Sequence, residues 1–164
     1  QDPGFTTCVL LSDRQEEQAY REELVLRFFC QLNIANLQTE LPKEYGEYIT
    51  DWMRKIAAAD PVPLDDALFR KTFELLAVSL GEDSFRRFDG SRHLGPFSIS
   101  SFEFITTGVA SNLELWSSRS SQELRLKVES VWSHEAFKQN SGTGVSPRRR
   151  VPRLIPESRR FFSA

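Results

Sequence analysis

The sequence is poor in the residues that hold metals and carry redox chemistry. It has two histidines and two cysteines. Metal centres need clustered His, Cys, Asp or Glu, and His93 and His134 stand far apart, each without a second ligand at metal spacing. Cys8 and Cys30 form no CxxC pattern. They read as buried, reduced thiols in a cytosolic, cytoplasmic protein. Long apolar runs are missing too: nothing approaches the ~20 residues that span a bilayer. The stretch Cys8–Leu11 is far too short for the core of a signal peptide. Strand-like alternation, internal repeats and heptads are absent as well, which leaves an all-α chain. The expected architecture is a single helical domain over residues 1–164, a bundle of about five to seven helices. The chain opens on Gln1 rather than Met and reads as a fragment with residues missing upstream.

What is present is an ordinary globular composition, 40% apolar and 27% charged, which excludes a disordered chain. A net charge of -2 gives the whole molecule no electrostatic signature for nucleic acid. The charge is unevenly spread, however. Lys138, Arg148, Arg149, Arg150, Arg153, Arg159 and Arg160 face only Glu157 between Lys138 and Ala164. The C-terminal segment 139–164 is therefore basic and the remainder acidic, which points to an anionic partner or an acidic neighbouring surface.

Residues 1–7 read as an irregular lead-in. Near Tyr20 a helix begins, with Leu24, Val25, Phe28, Phe29 and Leu32 on one face. Glu23, Arg27 and Gln31 fall on the other, so Arg27 reads as a solvated i,i+4 pair with Glu23 or as a contact for a neighbouring domain. A second helix starts near Pro42 and stops before Asp60-Pro-Val-Pro63. A third runs from about Leu64 to Leu80, with Gly81 as its C-cap. Ser100 and Glu103 fit a capping box opening a helix through about Leu113, and Ser120 and Glu123 fit a second box. Asn140-Ser-Gly-Thr-Gly144 is a loop. A final helix has Pro147 in its first turn, and Pro152 and Pro156 inside it predict a kink or break.

Two arginine groups are candidates for binding. Arg86, Arg87 and Arg92 lie in Phe85–Phe104, beside five phenylalanines. They grip an anion or a neighbouring domain, or they complement a helix C-terminus at a structural corner whose phenylalanines enter the core. Arg148, Arg149, Arg150 and Arg153 follow a glycine-rich loop at a helix start, where arginine forks suit phosphate. The loop continues Gly-Val-Ser-Pro instead of Gly-Lys-[Ser/Thr], so it is no Walker A loop. These arginines contact a nucleic-acid backbone or another anion, or they form a solvated face or pair with acidic helices of the same chain. No nucleophile and base can be assembled, and no catalytic residue, metal site or cofactor is assigned to this chain.

Four stretches together resemble a known family. They are "REELVLRFF" at 21–29, "FRKTFELLAVSLGEDSFRRFDG" at 69–90, "GPFSISSFEFITTGVASN" at 95–112 and the closing "SGTGVSPRRRVPRLIPESRRFF". In order and spacing they are similar to the GmrSD-type group of ParB/sulfiredoxin-like nucleotidase and restriction proteins, bacterial proteins of defence against phage and modified DNA. The resemblance implies the helical region that follows the catalytic N-terminal domain. The family's Asp-Gly-Gln-Gln-Arg signature is absent, since Asp89-Gly90-Ser91-Arg92 is only a chance echo, and two distant histidines supply no HNH nuclease. The implied role is non-catalytic: packing on the missing N-terminal domain and contacting DNA through the basic segment, with no membrane partner. The rival readings are a free-standing helical interaction module and an independent enzyme.

Overall fold

A computed structural model describes residues 2–14, 19–34, 41–58, 64–142 and 144–164. The chain is mostly α-helical. The helices are α1 (Pro3–Cys8), α2 (Tyr20–Leu32), α3 (Tyr45–Ala58), α4 (Asp66–Ser79), α5 (Ile99–Ser111), α6 (Leu113–Ser118), α7 (Ser121–Ser130), α8 (Glu135–Ser141) and α9 (Pro147–Phe161). Two-residue strands β1 (Arg87–Phe88) and β2 (His93–Leu94) pair antiparallel between α4 and α5. No helix among the described residues is long and apolar enough to cross a membrane.

α5 is the centre of the bundle, and every residue from Ser100 to Ala110 is buried. Its sequence explains how one helix can be covered all round. Phe102, Phe104, Ile105 and Val109 supply apolar contact, while the small Ser, Thr and Gly residues let other helices come close. A Cβ built on Gly108 would lie 2.0 Å from Phe162 Cδ2 and 2.8 Å from Ser158 Oγ, so α9 crosses α5 where side-chain bulk is missing. Three of the buried hydroxyls donate to backbone carbonyls, Thr106 Oγ1 to Phe102 O at 2.7 Å, Ser101 Oγ to Phe85 O at 2.9 Å and Ser158 Oγ to Phe104 O, whereas Thr107 Oγ1 is buried without a partner. The three bonds offset the cost of burying a hydroxyl.

The main core is aromatic. Phe28, Phe69, Phe73, Phe85 and Phe102 bring α2, α4, the corner and α5 together, with ring centroids as close as 4.7 Å between Phe69 and Phe73. A smaller core joins α2, α3 and α9 through Cys30, Ile34, Leu41, Tyr45, Ile49, Val151 and Ile155.

Several local expectations change. The N-terminal lead-in is helical from Pro3, because the Asp2 carboxylate accepts the Phe5 N–H at 2.8 Å and Pro3 suits a first turn. Among the described residues, short helices such as α1, α6 and α8 raise the count slightly above five to seven; they span too few turns to show a periodicity. Ser98, not Ser100, caps α5 by accepting from Ser101 N–H. The Ser100–Glu103 box does not form, because the Glu103 carboxylate is drawn to buried arginines. The Ser120–Glu123 box does form, with both reciprocal bonds.

The final helix is continuous through Pro152 and Pro156. Pro152 has no N–H to offer the carbonyl four residues earlier, and that carbonyl, Arg148 O, accepts the Leu41 N–H at 3.0 Å instead. The proposed stop at 60–63 and Thr143 of the 140–144 loop lie outside the described residues.

Candidate functional site

Arg150 turns inward from the first turns of α9. Its Nε donates to Glu103 Oε2 at 2.8 Å and its Nη2 to Oε1 at 3.1 Å. Arg27, from α2, donates through Nη1 to the same Oε1 at 3.0 Å and through Nε to Glu23 Oε1 at 2.8 Å. Glu103 is fully buried and Arg27 and Arg150 nearly so. Two cations thus share one wholly buried carboxylate, with Glu23 at the solvent edge bringing the group to neutrality. Burial works against the charge on Arg27, but Glu103 and Glu23 outweigh it, and its pKa is raised. The Arg27 guanidinium also lies 4.8 Å from the centre of the Tyr45 ring. Burial pushes the Tyr45 hydroxyl well above its ordinary pKa. Gln31, buried on the same face, donates to Thr106 Oγ1 at 3.0 Å.

The expected i,i+4 pair of Arg27 with Glu23 forms, but Arg27 is not solvated. It and Gln31 are turned to α5, and Glu23 alone on this face reaches water. The same geometry divides the basic segment. Arg150 is an internal partner of an acidic helix. The Arg148 Nε donates to Leu41 O at 2.7 Å, and Arg159 donates to Leu32 O and Ile34 O at 3.1 and 3.2 Å, closing the C-terminal end of α2. Arg149 and Arg153 are exposed on the outer face of α9, with Arg153 Nη1 3.4 Å from Asn140 Oδ1.

The second arginine group sits at the corner between α4 and α5. Phe85, Phe102 and Phe104 are buried there, as expected of a structural corner. Arg86 ties it internally, donating to Gly95 O and Asp83 Oδ1 at 2.9 Å each. Arg87 and Arg92 are exposed on the β1–β2 hairpin, Arg92 being 4.0 Å from Asp89. Hydrogen bonds from the Arg92 and Ser91 N–H groups and the Ser91 hydroxyl hold the Asp89 carboxyl down to about 2. A recess of about 330 Å³ opens beside the corner, lined mainly by Cys8, Leu10, Leu11, Phe85, Pro96 and Phe97.

His93 is enclosed and His134 is partly exposed, and each ring meets a carboxylate. The His93 Nε2 lies 3.2 Å from Glu129 and the His134 Nε2 3.0 Å from Glu157. Cys8 and Cys30 are buried, unbridged thiols, and burial pushes both up to about 12. Among the described residues no three His, Cys, Asp or Glu side chains gather as a metal site would require.

Pairing of the basic segment with the rest of the chain is one of the readings of Arg150, and what residue patterns missed is Glu103 as the buried carboxylate with Arg27 as its second cation. One signal was available. Glu103 stands in a helix segment that is otherwise uncharged, and positions three and four residues away carry Ile, Ser and Thr, with no Lys or Arg. A carboxylate so placed has no local partner and requires a distant cation. Compared with known proteins, the chain matches no family model and has no significant match among curated proteins or solved structures.

Proposed function

We propose that this chain is the non-catalytic helical region of a GmrSD-type restriction or phage-defence protein, packing on a ParB-like nucleotidase domain and touching DNA through the outer arginines of α9. One observation supports the scaffold role. Charged residues from three of the four stretches that carry the resemblance meet in one place: Arg27 from 21–29, Glu103 from 95–112 and Arg150 from the closing stretch. The fourth stretch, 69–90, sends Phe73 and Phe85 into the adjoining core. The residues behind the resemblance therefore hold helices together, which is what a scaffold requires and a catalytic centre does not.

The DNA contact rests on Arg149 and Arg153, whose side chains are exposed and one helical turn apart, about 6 Å along the axis. Affinity for a DNA duplex is measured against salt concentration for the chain and for Arg149→Ala/Arg153→Ala. Weaker binding and a salt slope shallower by about two are expected of the variant. Equal binding, or none by either protein, overturns the DNA contact. The packing role is tested separately by co-expressing the domain encoded upstream, where the Asp-Gly-Gln-Gln-Arg signature is expected. Failure to co-purify overturns the scaffold reading, and nucleotide hydrolysis by this chain alone overturns the non-catalytic one.

A further inference from the structure

The recess beside the corner between α4 and α5 has two walls of different character. One is Leu10 to Ser12, part of a stretch that leaves α1 without turn or bend. The other is Gly95 to Phe97. Among the described residues, nothing bonds to the main-chain N–H and C=O groups of Leu10 and Leu11, and Leu10 is 48% exposed. The opposite wall offers less. Gly95 O already accepts the Arg86 Nε–H at 2.9 Å, and Pro96 has no N–H. Main-chain groups require hydrogen-bond partners, and an unpaired edge is a template for a further strand. We infer that the Leu10–Leu11 edge docks an extended peptide segment of a partner protein, with apolar side chains at alternate positions and a basic residue beside them.

The recess accounts for the side chains of that segment. Cys8 and Phe85, each 1% exposed, close its bottom, and Leu11, Pro96 and Phe97 line its sides. Together they enclose about 330 Å³ of mainly apolar space. A strand laid along Leu10–Leu11 turns every second side chain to one face, so apolar residues at alternate positions meet this space. Charge accounts for the basic residue. Glu82 lines the recess, is exposed and has no ion pair among the described residues. The other charged group of the lining, Arg86, is held by Asp83 at 2.9 Å. The uncompensated charge at the recess is therefore negative, and a lysine or arginine of the partner answers it. Main-chain pairing supplies affinity in such a complex, and the side-chain recess supplies selection. A small aliphatic amine would fill the recess but leave the main-chain edge unpaired, which favours a peptide as the occupant. None of the α9 arginines takes part, so the site stands apart from the DNA contact proposed above.

The test uses the full chain in solution, with its backbone amides followed by proton–nitrogen NMR. The probe is the peptide acetyl-Leu-Thr-Leu-Lys-amide at millimolar concentration. Saturable shifts are expected at residues 8–12, 82–86 and 95–97, with the rest of the chain unmoved. A strand edge presents alternate residues to its partner, so the amide of Leu10 or that of Leu11 should gain exchange protection while its neighbour does not. An analogue N-methylated at its internal amides keeps the side chains but cannot pair, and it should bind about tenfold more weakly. Glu82→Gln, at an exposed position, should weaken the unmodified peptide about threefold, and an unchanged affinity overturns the charge match. Equal binding by the N-methylated analogue overturns the docking site. So does equal binding by hexylamine, which carries an apolar chain and a cation without a main chain. The absence of any saturable shift, or shifts centred on another part of the molecule, also overturns it. These four results come from the unsubstituted protein and do not depend on a variant folding.

Discussion

Arg150 and Glu103 meet through two hydrogen bonds, at 2.8 and 3.1 Å, across the contact of α9 with α5. They are 47 positions apart in the chain, and Arg27, on the same carboxylate, is 76 away. One carboxylate thus joins three helices that follow one another only at long range. Breaking such a pair by removing one partner leaves an uncompensated buried charge.

Glu103→Gln leaves Arg150 without an anion and Arg27 with only the half-exposed Glu23. A loss of about 3–5 kcal/mol in chemical denaturation is expected, largely insensitive to added salt because the pair is out of water. Arg150→Met removes one cation but leaves Glu103 its bond to Arg27, so a smaller loss is expected. A Glu103→Gln loss under about 1 kcal/mol would mean the carboxylate is not the shared anchor.

Gly108 makes a second prediction about the same contact. Its absent Cβ would fall within 2.0–2.6 Å of Phe162 ring atoms, and Phe162 is fully buried. Gly108→Ala raises helix propensity, so a gain would follow if space were available. The overlap predicts a loss of about 1–3 kcal/mol instead. Phe162→Leu in the same chain should recover part of it, and thermal melts of the single and double variants decide the sign.

How much of this was legible in the residues depends on the range of the interaction. The Ser120–Glu123 box and Pro147 at the start of α9 are local patterns and form as read, and of the five corner phenylalanines Phe85, Phe102 and Phe104 are buried while Phe88 and Phe97 stay half-buried. Helical periodicity also placed Glu23, Arg27 and Gln31 correctly on one face of α2. It could not say that α5 and α9 cover that face, because which surface meets which is decided by pairs dozens of residues apart. Glu103 shows local and long-range preferences in competition. Its spacing from Ser100 suits a capping box, yet Ser98 takes the cap and two buried guanidinium groups take the Glu103 carboxylate. Pro152 shows the same from the backbone side: Leu41, from a distant segment, takes the carbonyl bond that proline cannot make.

The capping box at α7 carries a pH signature. A hydrogen bond from Arg119, then bonds from the Ser120 N–H and hydroxyl, hold the Glu123 carboxyl down to about 2. A carboxylate with a lowered folded pKa adds stability above its ordinary titration range, and that stability is lost as pH falls towards about 2. Glu123→Gln should therefore destabilise at neutral pH and by much less near pH 2, where about half of the folded carboxyl is protonated. Ser120→Ala removes the reciprocal cap and should cost about 1 kcal/mol at neutral pH. Urea midpoints at the two pH values test both.

The two cysteines set the alkaline side. Cys8 packs under α4, its Sγ 3.8 Å from Phe73 O, and Cys30 lies in the smaller core. Burial pushes both thiols up to about 12, whereas an unfolded cysteine ionises near 8.5. Between those values the unfolded chain has released thiol protons that the folded chain retains. Stability must then fall as pH rises through that interval. The native thiols should also resist iodoacetamide at about pH 8.5, since the reactive thiolate is scarce. Both should alkylate within minutes in denaturant. Cys8→Ser/Cys30→Ser removes the two titrating groups, so its urea midpoint should change less between about pH 8 and about pH 10 than that of the unsubstituted chain. An equal slope in the two proteins would place the alkaline loss on other groups, and rapid native alkylation would mean that one of these core contacts opens readily.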